Sequence, residues 1–166
     1  MTSQPDETPG VRDAAAQPVK EGGSVRGSRR LARELALKAL YQWLLNPSPV
    51  SALLEFCTQE KEFVRADEQH LRALLEGVTS RAEELRGDIA PYLDRAVTAL
   101  SPVEHAILLL GAMELKAFAD VPYRVVINEG VELAKLYGGT DGYKYVNGVL
   151  DKLAAQLRPL EARSKA

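Results

Sequence analysis

The stretch SPVEHAILLLGAMEL, residues 101–115, constrains the fold of this chain more than any other. Ser101, Pro102 and Glu104 supply a capping serine, a proline at the first helical position and an acid three residues after the cap, the capping-box order that opens an α-helix. The remainder of the stretch, AILLLGAMEL, is apolar almost all round. A helix with no polar face belongs at the buried centre of a bundle, so the rest of the chain has to wrap it.

The flanking segments have the patterns to do so. Ser28 caps a helix from about Arg29 to Leu45, with Leu31, Leu35, Ala39 and Trp43 on one stripe and Asn46-Pro47 as its stop. A shorter helix is expected from about Val50 to Phe63. Another runs from Glu68 to about Arg86, capped by Asp67, with Leu71, Leu74, Leu75 and Val78 on one face, and a break comes near Asp88 to Tyr92. After DVPY, residues 120–123, VVINEGVELAKLY continues helically to Gly138, which stands in a C-terminal capping place. The last helix spans about Gly142 to Leu157. Its apolar residues Val146, Val149, Leu150, Leu153 and Leu157 recur at threes and fours, which argues against a hairpin at Asn147-Gly148. The pattern predicts an all-α fold of two packed helical bundles with about six to seven helices, the halves covering about 28–93 and 101–158.

With 166 residues, 46% of them apolar, the chain can bury one sizeable core or two small packed subdomains. Residues 1–25 carry three prolines, three glycines and almost no bulky apolar side chain, and read as a disordered arm ahead of a domain at 26–159. Residues 160–166 read as a flexible tail. The single cysteine, Cys57, excludes an intramolecular disulfide framework and looks like a small core residue; two histidines without a cysteine cluster leave no readable metal site. No apolar run approaches the roughly 20 residues that span a bilayer, and the start lacks the order of a signal peptide. A cytoplasmic location fits.

Catalytic signatures are absent: there is no GxSxG and no HExxH, and GGTDGYK lacks the spacing that wraps a phosphate. Acid pairs such as Glu83-Glu84 stand beside Arg81 and Arg86 as a solvated helix face. His105 reads as a surface or partner-contacting residue. No catalytic residue, metal or cofactor is predicted, and an enzyme is disfavoured.

The feature that this scheme leaves over is charge. Formal net charge is −2, yet Lys20 to Arg33 holds five basic residues (Lys20, Arg26, Arg29, Arg30, Arg33) against the single acid Glu21. Cations near a helix N-terminus oppose its dipole, by a few tenths to about 1 kcal/mol each, so helix stability does not explain them. Arginine forks bind phosphate bidentately and stack on bases, which suits single-stranded RNA. A merely solubilising charge run fits the same residues.

RRLARELALKALY, PYL, VEHAILLLGAMEL, DVPYRVVINEGVELAKLYGG and KYVNGVLDKL occur in the order and spacing of the NusB family of bacterial transcription antitermination factors, which the chain resembles over about residues 27–159. The resemblance implies a non-enzymatic factor that pairs with the ribosomal protein NusE. Together they would bind boxA RNA, notably in ribosomal RNA leaders, within an RNA polymerase antitermination complex. It implies RNA contacts from Arg26, Arg29, Arg30 and Arg33, from Tyr41, and from Asp141, Lys144 and Tyr145. Glu104 matches an acidic contact to NusE, although its capping role explains an acid there equally. For Tyr41 and Tyr145, core packing stays open beside stacking on RNA. Two departures stand out: the long N-terminal arm has no counterpart in the family core, and Leu109 replaces an arginine common among relatives, which would remove a polar surface contact. A detached RNA-binding module of an RNA methyltransferase, a helix-turn-helix DNA regulator and a helical interaction scaffold are the alternatives; monomer and homodimer are both open.

Overall fold

The computed structural model describes residues 27–164. The arm and Arg26 lie outside the described residues. Among the described residues seven α-helices succeed one another: α1 (Arg29–Leu45), α2 (Val50–Thr58), α3 (Glu68–Ile89), α4 (Pro102–Ala117), α5 (Tyr123–Tyr137), α6 (Gly142–Leu157) and α7 (Pro159–Ser164). Among the described residues there is no strand, only one isolated parallel bridge between Ser28 and Ala66.

Three helix starts use the side chains that the sequence offers. Ser28 accepts from the Leu31 N–H, Asp67 from the His70 N–H and Ser101 from the Glu104 N–H, at 3.0, 3.0 and 3.2 Å. Each satisfies a backbone donor that the first helical turn leaves without a partner. The first two starts are also tied to each other. The Ser28 N–H donates to the Arg65 carbonyl and the Asp67 N–H to the Ser28 carbonyl. Gly27, at φ 93°, lets the chain pass there; a Cβ on it would lie 2.5 Å from the Ala66 carbonyl oxygen.

α4 is the axis. Ala106 to Leu115 are all buried, and α1, α3, α5 and α6 pack around the helix, so both halves share one continuous core. Fully burying a leucine such as Leu108 is worth roughly 1.5–3 kcal/mol. Leu109 is also fully buried, so the expected removal of a polar surface contact does not apply to this chain: its position faces the core. Cys57 is buried as well, and burial pushes its thiol up to about 11, which keeps it unreactive.

Several boundaries differ from the sequence reading. The second helix stops at Thr58, whose hydroxyl donates to the Glu55 carbonyl, and a separate 3₁₀ turn covers Lys61–Arg65. α3 continues to Ile89 and carries a kink at Arg81. Gly138 does end α5, but in extended rather than left-handed backbone. The expected flexible tail is a helix as far as Ser164. Arg158 donates to the carbonyls of Glu114, Leu115, Phe118 and Val121 and so caps the C-terminal end of α4, while Glu161 accepts from Arg158 and from the Tyr123 N–H. Tail and axis are thereby joined. No helix among the described residues is long and apolar enough to cross a membrane.

Candidate nucleic-acid interface

The start of α1 is pinned beside the start of α3, and its arginines meet carboxylates from four other helices or loops. Arg29 is about one-third exposed; its Nη1 donates to Asp120 at 3.3 Å and its Nε lies 3.7 Å from Asp67. Arg30 is 66% exposed and forks onto Glu129, Nε to Oε1 at 3.2 Å and Nη2 to Oε2 at 2.8 Å. Both side chains remain partly exposed. Either can meet a phosphate.

Arg33 does not share that exposure. The sequence reading groups it with its neighbours, but it is 6% exposed, and its Nε lies 3.0 and 2.9 Å from the two oxygens of Glu114. Glu114, 2% exposed, also lies 2.7 Å from His70 Nε2, and Glu129 stands 3.8 Å from Arg33 Nη1. A carboxylate inside an otherwise apolar helix needs a cation with good hydrogen bonds, and Arg33 supplies it. Its place on α1, between buried Ala32 and Leu35, turns it inward. The acid in AILLLGAMEL was the available signal: a charge on an all-round apolar helix demands a buried partner elsewhere.

A second cluster surrounds the start of α6. Glu104, Asp141, Lys144 and Tyr145 line one open cleft of about 600 Å³. Asp141 occupies the cap position without making a side-chain cap bond, and lies 3.6 Å from Lys144; both are about two-thirds exposed or more. Gly142 sits against Glu104, so that a Cβ there would come 2.9 Å from the Glu104 carboxylate. The residue matched to partner binding thus shares a cleft with three of the residues matched to RNA, Asp141, Lys144 and Tyr145. Sequence reasoning missed two charged members of the cleft, Asp94 and Arg95. Their signal was an arginine beside an aspartate in the break after PYL, a segment free to aim side chains at a neighbouring helix.

Tyr145 is half-buried, so neither of its two readings holds alone: it packs against the core and also reaches the cleft. Its hydroxyl accepts from the Asp94 N–H at 3.3 Å, and burial raises its pKa. Arg95 hydrogen bonds hold the Asp94 carboxyl below its ordinary range. Tyr41, 37% exposed, lines a separate groove of about 400 Å³ with Lys38, Phe56, Val103 and Tyr137. His105 is half-buried rather than on the surface. It accepts from Arg86 Nε at 3.1 Å, and burial together with the Arg86 charge pushes its pKa down to about 4. Among the described residues no group of three or more His, Cys, Asp and Glu could hold a metal ion.

The profile of the NusB family matches residues 30–155. The transcription antitermination protein NusB of Paraburkholderia phymatum is 54% identical over 142 residues, covering 86% of this chain and 98% of that relative. That of Methylobacillus flagellatus is 52% identical over 147 residues, covering 89% and 94%. Among solved structures, T. maritima NusB superposes with a TM-score of 0.72 at 27% identity, over 84% of this chain and 99% of the other. A structure of the antitermination factors NusB and NusE in complex with dsRNA matches with a TM-score of 0.68 at 26% identity, over 77% and 96%. With this architecture and these matches along most of its length, the chain belongs to the NusB family of transcription antitermination proteins.

Proposed function

We propose that this chain is a non-enzymatic antitermination factor that binds boxA-type single-stranded RNA jointly with NusE and supports transcription of ribosomal RNA by RNA polymerase in the cytoplasm. The observation that carries the reading is the exposed arginine turn. On a chain of net charge −2, Arg29 and Arg30 keep 36% and 66% of their side chains exposed, although both are ion-paired, at a place where the helix dipole disfavours them. Asp67, Asp120 and Glu129 offset part of that cost, and phosphate contacts would offset the rest. Lys144 provides a further cation at the α6 cleft, and the ring of Tyr145 stands behind it. Arg33 holds α1 onto α4 and contributes no phosphate contact. Glu104 lies where a partner bound at the cleft would meet RNA and protein together.

The test is titration of boxA-containing RNA, a scrambled RNA and a duplex RNA against the protein, with and without NusE. The proposal predicts tightest binding to single-stranded boxA RNA, a preference strengthened by NusE, and affinity that weakens steeply with salt. Equal binding to boxA and scrambled RNA in both conditions overturns it.

A further inference from the structure

Arg95 stands in the irregular segment between the two halves, two residues past Leu93, which closes the 3₁₀ turn Ala90–Tyr92. Its guanidinium carbon lies 4.5 Å from the centre of the Tyr145 ring. Asp94 grips one edge of the guanidinium, accepting from Nε at 2.6 Å and from Nη2 at 3.1 Å. The Asp94 backbone N–H in turn donates to the Tyr145 hydroxyl. Ring, cation and carboxylate therefore fix one another: the hydroxyl holds the ring, the ring supports the guanidinium, and the carboxylate sets its rotation. Arg95 remains 42% exposed on the cleft that Lys144 also lines.

We propose that Arg95, laid over Tyr145, is the surface on which the cleft stacks one unpaired base of single-stranded RNA, with Tyr145 and Asp94 acting as its positioning residues. The proposal rests on the RNA-binding reading and refines it. A guanidinium is planar, delocalised and weakly hydrated, and stacks on aromatic faces and bases alike. Here one side of the tyrosine ring already carries Arg95, so a base that enters over that side meets the guanidinium first. Two of the arginine's five N–H groups are committed to Asp94, whose charge also offsets that of Arg95, so the pair attracts phosphate less than a free arginine would. What it offers best is its flat outer face. Lys144, 67% exposed at the same cleft and held only by a 3.6 Å pair with Asp141, can turn to the phosphate beside that base. A base inside a duplex has both faces occupied, so the arrangement favours single strands.

The test uses the full chain with NusE and single-stranded boxA RNA in which 2-aminopurine replaces each base in turn, since its fluorescence is quenched by stacking. Wild type should quench strongly at one position. Arg95→Lys keeps the charge and loses the plane; it should lose that quench and bind about tenfold more weakly, as far as Arg95→Ala does and as expected when one base no longer stacks. Tyr145→Phe keeps the ring but loses the hydroxyl that holds it, and should weaken the quench less than Arg95→Lys does. Melting curves of all variants should match wild type. An Arg95→Lys variant that binds and quenches like wild type overturns the proposal, because Arg95 would then act only as a charge. Undiminished quenching in Arg95→Ala also overturns it, since the base would then stack on Tyr145 itself. Wild type that binds boxA RNA with steep salt dependence but quenches at no position defeats the stacking proposal while the RNA reading stands; wild type that does not prefer boxA RNA at all defeats both.

Discussion

The start of α1 and the start of α6 both carry cations near a helix N-terminus, but the fold treats them oppositely. At α1 the cap is made by a side chain, the backbone is laced to the start of α3, and every described arginine faces a carboxylate from another element. At α6 the cap residue Asp141 makes no side-chain cap bond, Lys144 has only a loose ion pair with it, and Gly142 leaves the cleft open against Glu104. The difference separates charge that builds the molecule from charge left available to a ligand. Arg33, whose partners Glu114 and His70 are buried, belongs to the first kind. Lys144 belongs to the second, and so does Arg30 in part, since 66% of its side chain stays exposed although its fork is held by Glu129.

The largest effect that would sharpen the contrast is on stability. Arg33→Ala strands the buried Glu114 carboxylate and should cost about 3–5 kcal/mol in urea or thermal unfolding. Arg29→Ala and Arg30→Ala should each cost under about 1 kcal/mol, as surface pairs do. Similar losses from all three would erase the distinction.

Next in size is a pH effect away from both sites, where His105 of α4 meets Arg86 of α3. His105 is neutral in the fold, with its pKa at about 4 against an ordinary 6.5. Between those values the unfolded chain binds more protons, so stability should fall as pH drops from 6.5 toward 4, by on the order of 1 kcal/mol once partial exposure is allowed for. His105→Gln keeps an acceptor for Arg86 and should flatten that part of the stability profile, measured by chemical unfolding across pH.

At the open cleft the effects are smaller and show in binding. Asp141→Asn removes a carboxylate that neither caps with its side chain nor is buried. It should leave melting unchanged and tighten RNA binding by roughly 0.5–1 kcal/mol at low salt, a gain that fades as salt rises. Weaker binding would mean that the carboxylate accepts a hydrogen bond from a base. Gly142→Ala pushes its methyl group against the Glu104 carboxylate, which must move. NusE affinity should fall by about threefold, roughly 0.6 kcal/mol, with no change in net charge. An unchanged affinity would remove Glu104 from the partner contact.

Periodicity and punctuation made the helices legible: Ser28, Asp67 and Ser101 cap where a serine or aspartate precedes an apolar stripe, and the all-round apolar helix does lie at the centre. Those signals are local. The illegible part depended on pairings between distant segments. Arg33 looks like Arg29 and Arg30 until Glu114, 81 residues later, is placed beside it. Arg95 is inconspicuous in the sequence until Tyr145, across the cleft from the other half, comes under it. The tail reads as loose because the bonds of Glu161 to Arg158 and to the Tyr123 N–H arise from the fold and not from any short pattern. Leu109 reads as the removal of a polar surface group only when the family's arginine is assumed to point outward.

The most direct measurement is the salt dependence of boxA RNA binding by wild type and by the double variant Arg29→Ala/Arg30→Ala, paired with their melting curves. Each phosphate of a single strand that the protein no longer neutralises flattens the slope of log K against log salt by about 0.7, so the double variant should give up roughly 1.4 of that slope. Its affinity should fall and its melting temperature should stay within a few degrees of wild type. A slope that does not change, or a double variant that unfolds as Arg33→Ala is expected to, would place the exposed arginines with the structural charge and contradict the assignment of this face to RNA.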